Sequence, residues 1–174
     1  MKNLYKIKQI LKLAGIAFLF QLLGFSLSAQ VEFSLKLMPD GKTYHVYARP
    51  DSSITPTTSL VTGSAQVTLV VNNGFQYNDF TSVSGVWNGL AQQVSRVNGP
   101  IENPTKDYIS FGFQSEPPAI TLQSGTETLL FTFRRTSPCI GISYLINNDT
   151  DPFAMLPNSV GSNPGNEISI IDFG

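Results

Sequence analysis

The densest cluster of hard oxygen donors in this chain is Asn147, Asn148, Asp149 and Asp151, set in one short stretch ahead of Pro152. Calcium takes about six to eight oxygen ligands, and Asp- and Asn-rich loops supply them. Calcium is therefore the one cofactor these residues point to. The stretch lacks the Gly and the closing Glu of an EF-hand loop. The competing reading is a turn in which Asn and Asp side chains bond their own backbone. A second group is aromatic. Tyr47, Tyr77, Phe80 and Trp87 are candidates to bind a ligand, since a flat ring with a polar tip suits a half-exposed position against a sugar. Phe75, Tyr77 and Phe80 fall in a stretch read as loop, where binding residues concentrate. For Trp87, the single tryptophan, the favoured alternative is a plug in the core.

Nucleophilic chemistry has little to work with. His45 and Cys139 are the only residues of their kinds. No motif surrounds either, and no G-x-S-x-G elbow supports a serine hydrolase built on His45. Cys139 reads as a buried small apolar residue, and His45 as solvent-facing. A glycosidase needs only two carboxylates about 5–9.5 Å apart. Asp149 with Asp151, and Glu102 with Asp107, are the nearest to such pairs. These observations lead us to expect no catalytic residues and no enzyme, with glycan cleavage as the minor alternative.

The elements that carry these residues have period two. Val31, Phe33, Leu35 and Leu37 alternate with Glu32, Ser34 and Lys36, the pattern of a half-buried strand. Pro39-Asp40-Gly41 reverses the chain, and Thr43–Arg49 returns as the second arm of a hairpin. Further alternation covers Ala65–Val71, Tyr108–Phe113, Thr128–Phe133 and Ile140–Ile146, and Glu167–Phe173 forms a last strand. Val86, Leu90, Val94 and Val97 have helix-like spacing, but Gly89 weakens a helix; strand and short helix stay open. Short strands between Gly, Pro and Asn turns read as a single all-β domain, an antiparallel β-sandwich. Arg134-Arg135 is expected to place a solvated charge at a strand end, discouraging edge-to-edge aggregation.

Charge divides the chain in two. Lys+Arg number 11 and Asp+Glu 12 in 174 residues, for a net of −1. Lys2, Lys6, Lys8 and Lys12 precede any acid, and Leu13–Leu27 is apolar apart from a few residues such as Gln21. Ser28-Ala29 follows with small side chains. This is the order of a secretory signal peptide, and the apolar run is short of the ~20 residues that span a bilayer. We expect residues 1–29 to be removed and residues 30–174 to be exported as one domain, with no membrane attachment after cleavage. With those four lysines set aside, 7 basic and 12 acidic side chains leave −5 over 145 residues. An acidic domain argues against nucleic acid, whose binding rests on Lys and Arg at phosphates.

Several stretches carry a resemblance. Phe33–Arg49, Glu102-Asn103-Pro104 with Asp107-Tyr108-Ile109-Ser110-Phe111, Leu129–Arg134, and Leu145–Phe153 with Asn158-Ser159 and Asn163–Ile170 resemble an N-terminal domain of secreted Bacteroidota surface proteins of adhesin type. The pattern is similar to cohesin and carbohydrate-binding-module sandwiches. The resemblance implies a jelly-roll, cohesin-like sandwich of about eight or nine strands. It further implies a non-catalytic cell-adhesion or matrix module whose extracellular partner is a polysaccharide or a surface protein. A stand-alone module and a shortened multidomain protein are both compatible with it. The alternative function is a structural unit that self-associates through its edge strands.

Overall fold

The structure, a computed structural model, describes residues 31–55, 60–90, 94–138 and 141–172. The signal peptide expected at 1–29 and the expected burial of Cys139 lie outside the described residues. Ten strands follow one another: β1 (Val31–Leu37), β2 (Thr43–Pro50), β3 (Leu60–Asn72), β4 (Tyr77–Ser82), β5 (Val86–Asn88), β6 (Ser95–Asn98), β7 (Lys106–Ser115), β8 (Thr128–Arg135), β9 (Tyr144–Leu145) and β10 (Glu167–Asp172). They form two antiparallel sheets. Sheet one has the order β1-β2-β8-β4; sheet two has β10-β3-β7-β5, with β6 also on β7 and β9 on β3. The fold is the antiparallel β-sandwich that the alternation predicts.

Parity builds the core. On β2, Tyr44, Val46 and Ala48 are buried while His45 and Tyr47 stay half-exposed, because successive side chains leave opposite faces of a strand. Ala65, Val67, Leu69 and Val71 of β3 meet them from sheet two, with Phe111, Phe131 and Phe133 between. The Phe111 and Phe131 rings lie 4.9 Å apart at 41°, a tilted contact that adds to the area they bury. The β1–β2 hairpin pairs Val31 with Pro50 through Leu37 with Tyr44 without a break. Asp40 closes its turn: one carboxylate oxygen accepts from the backbone N–H groups of Lys42 and Thr43, and the other from the Thr43 hydroxyl. Arg135 spans this turn too, donating to the Gly41 and Ser137 carbonyls at 2.9 Å. Arg134 is exposed and Arg135 half-buried, so only the first is the solvated charge expected at the strand end.

Three segments depart from expectation. Tyr77–Ser82, expected as loop, is strand β4, bulged between Asn78 and Thr81, where Asp79 adopts φ +49°. That bulge hid the alternation. The ambiguous Val86–Val97 stretch yields the short strands β5 and β6; Leu90 is exposed while Val94 and Val97 join different apolar clusters. Within the described part of the expected Ile140–Ile146 strand, residues 141–146, only Tyr144–Leu145 forms a strand. Gly141 at φ +116° breaks the extended run, and Ile142 is 79% exposed.

The sandwich also has a third layer. Val70 and Tyr108 point away from the main core, yet both are buried, packed with Ile146 and Phe153. The 146–166 segment covers this outer face of sheet two. It contains no strand, so its backbone polar groups need side-chain partners. Asn166 accepts from the Thr68 N–H at 2.9 Å and donates to the Ile146 carbonyl at 2.7 Å. Asn158 donates to the carbonyls of Phe153 and Ser162.

Candidate functional site

A concavity of about 650 Å³ lies between two turns and is lined by Asn73, Gly74, Gln76, Arg96, Asn98, Gly99, Pro104 and Asp107. Asn73-Gly74 links β3 to β4, with Gly74 at φ +86° and Phe75 buried behind it as an anchor. Asn98-Gly99 opens the turn into β7. There a Cβ on Gly99 would stand 2.9 Å from the Pro104 carbonyl oxygen, at φ +49°. The Gly99 N–H donates to the Lys106 carbonyl at 2.9 Å, and Asn73 Nδ2 reaches the Pro104 carbonyl at 3.1 Å. The two turns are thereby tied to each other. Beneath them Arg96 Nη2 donates to the buried Asp107 carboxylate at 2.6 Å, and Arg96 Nε donates to Asn98 Oδ1 at 2.9 Å. The opposite charges offset one another, which leaves a cleft of amides over a neutralised pair. Each amide offers a donor and an acceptor together, the complement of a hydroxyl.

The residues expected to bind a ligand are not gathered at this cleft. Trp87 is 3% exposed, packed on Phe131 at 5.2 Å and Phe113 at 5.7 Å, with its indole N–H given to the Ser84 carbonyl. It is the core plug. Tyr77 and Phe80, expected to be exposed, are half-buried and pack inward on Phe111. The Tyr77 hydroxyl donates to the Gly89 carbonyl at 2.8 Å, and burial lifts its pKa to about 12. Tyr47 sits apart, on the outer face of sheet one. Lys36 Nζ lies 4.7 Å from its ring centroid, and its hydroxyl is 3.1 Å from His45 Nδ1.

Three of the four residues expected to hold calcium turn their side-chain oxygens to protein partners. Asn147 Oδ1 accepts from the Asp149 and Thr150 N–H groups, the self-bonded turn that competed with a metal site. Asn148 pairs with the Asn166 backbone through both amide atoms. Asp151 is buried, accepting from the Tyr108 hydroxyl at 2.9 Å and the Phe153 N–H at 2.9 Å. Asp149 is exposed. Among the described residues no group of three or more His, Cys, Asp or Glu is placed to hold a metal ion.

Of the carboxylates weighed for glycan cleavage, Glu102 and Asp107 are likewise engaged. Glu102 accepts from the Ser159 N–H at 2.6 Å and hydroxyl at 2.8 Å, which lowers its pKa. Asp107 holds Arg96. Apart from Asp107, the cleft residues escaped the sequence reading. Their signal was the repeated Asn-Gly, which reads first as turn punctuation. Comparisons with known protein families, with curated proteins and with solved structures find no match for this chain. Fold and site together define a class, an antiparallel β-sandwich with an amide-lined cleft between two of its turns.

Proposed function

We propose that the domain is a secreted, non-catalytic binding module that holds a neutral polysaccharide chain in the cleft between the Asn73-Gly74 and Asn98-Gly99 turns. The carrying observation is the lining: the side chains of Asn73, Gln76 and Asn98 over an Arg96–Asp107 pair whose charges offset. Such a surface gives no advantage to a strongly charged ligand and many partners to hydroxyls. Export is supported by the basic start, apolar run and small residues of the first 29 positions. A cell-surface or matrix adhesion role follows from the resemblance to cohesin-like and carbohydrate-binding sandwiches. The test is a glycan array, followed by calorimetry on any hit. Gln76→Ala and Asn73→Ala should each weaken binding roughly two- to tenfold, with the unfolding midpoint unchanged in Gln76→Ala, whereas Asn73 also bonds the Pro104 carbonyl across the turns. An array without hits, or a hit indifferent to both substitutions, would overturn the assignment.

A further inference from the structure

Edge strands expose a row of unpaired N–H and C=O groups, and proteins usually blunt them. In this fold β4, β5 and β10 each carry a register irregularity, and β6 has only four residues. By contrast β1 runs seven residues in unbroken register, with β2 as its one strand partner among the described residues. It contains no proline and no bulge. Its inward-facing row is also unfinished. Val31, Phe33 and Leu35 are only half-buried and Leu37 is 52% exposed, whereas the equivalent row on β2 is buried throughout. Beside that row the seam between the sheets stays open. One hollow of about 330 Å³ adjoins Leu35, Leu37 and Ile142, and another of about 320 Å³ adjoins Val31, Phe33 and Leu145.

The sequence of β1, Val-Glu-Phe-Ser-Leu-Lys-Leu, is complementary to itself when reversed. Antiparallel pairing about Ser34 sets Glu32 of one copy opposite Lys36 of the other, and does so twice. It also sets Val31 against Leu37 and Phe33 against Leu35 on the apolar face. Paired positions share parity, so their side chains leave the same face. Glu32 and Lys36 are available for this: their side chains are 64% and 45% exposed even while they pair with Arg49 and Glu127. We infer that β1 is a self-association edge. Two copies of the chain join β1 to β1, antiparallel about Ser34, into one eight-stranded sheet across a twofold axis.

Sedimentation velocity of the purified chain should show a concentration-dependent dimer. Glu32→Lys or Lys36→Glu alone puts like charges opposite each other twice. Either should weaken dimerisation by about tenfold or more, while the double exchange restores it. Association through any other surface would survive both single changes. A second readout fixes the register without depending on charge. Directly opposed residues have Cα atoms about 4.5–5.5 Å apart, within the range a disulfide bridges. In a Cys139→Ser background, Ser34→Cys should therefore cross-link to a covalent dimer on oxidation. Glu32→Cys should not, since four residues of offset separate the two sulfurs by about 14 Å. A monomer at all concentrations, a dimer indifferent to the single charge reversals, or a Ser34→Cys chain that stays uncross-linked would each overturn the inference.

Discussion

Removing one oxygen atom, in Tyr108→Phe, tests whether the 146–166 segment is held as a structural layer. The Tyr108 hydroxyl donates to Asp151 at 2.9 Å and accepts from Asn103 Nδ2 at 3.0 Å. Burial pushes its pKa up; the Asn103 bond works against this and the Asp151 bond adds to it. In the variant Asp151 keeps the Phe153 N–H but loses its side-chain donor inside a buried site. Asn103 is only half-buried and can turn to water. The dominant loss is thus one hydrogen bond to a carboxylate, about 1.5–3 kcal/mol. For a chain of this size that is a fall of about 3–12 °C in melting temperature. Urea unfolding read through Trp87 reports on the sandwich core, because that indole is 3% exposed. Amide exchange at Phe153 and Ile146 reports on the layer itself and should accelerate more than exchange in β2. If Tyr108→Phe stays within about 0.5 kcal/mol of the parent, with exchange unchanged in the layer, the Tyr108–Asp151 bond does not hold it and the reasoning fails.

Gly89→Ala should cost about 1–3 kcal/mol through overpacking, since its Cβ would stand 2.1 Å from the Phe80 ring. Phe80→Leu in the same chain should recover part of the loss, and a urea midpoint equal to the parent's would contradict the contact. The Tyr77 hydroxyl has its pKa raised to about 12, chiefly by burial. Its contribution is complete below the unfolded value near pH ~10 and is lost as pH climbs toward 12. Melting temperature should therefore fall over that window, and Tyr77→Phe should make the fall shallower; an unaltered profile would count against it.

The strands were legible where one face meets the core and the other meets water. Val31–Leu37 and Thr43–Arg49 alternate cleanly because, among the described residues, no second layer covers their outward residues Glu32, Lys36, His45 and Arg49. Strand β4 was not legible. Its bulge at Asn78 and Thr81 shifts the period partway along, so Tyr77 and Phe80 both pack inward at a spacing that alternation forbids. The same shift explains why these rings looked like loop aromatics free to meet a ligand. The Asn147–Asp151 stretch admits two readings for a different reason. A strandless layer over a sheet needs amides and carboxylates to satisfy its backbone, and composition alone does not separate that need from a metal's. Asn73, Gln76 and Asn98 carried no periodic signal, since they come together only when the β3–β4 and β6–β7 turns meet.

The two sheets divide the work between them. Sheet two has much of its outer face covered by the 146–166 segment, tied down through Thr68, Tyr108 and Asn166. Among the described residues, sheet one keeps an uncovered polar outer face and an open edge at β1. The amide cleft lies away from β1, where the β3–β4 turn that leads into the far edge strand β4 meets the β6–β7 turn. Joining two copies at β1 therefore leaves both clefts free. It sets the two β4 strands seven strand spacings apart, about 34 Å along the sheet, a separation fixed by backbone hydrogen bonds. Two weak sites held at a fixed distance bind a repeating polymer far better than either does alone, because the second contact is made at high effective concentration. The two proposals rest on different residues and can fail separately. If both hold, a shallow cleft with modest affinity for one chain segment is enough to grip a polysaccharide.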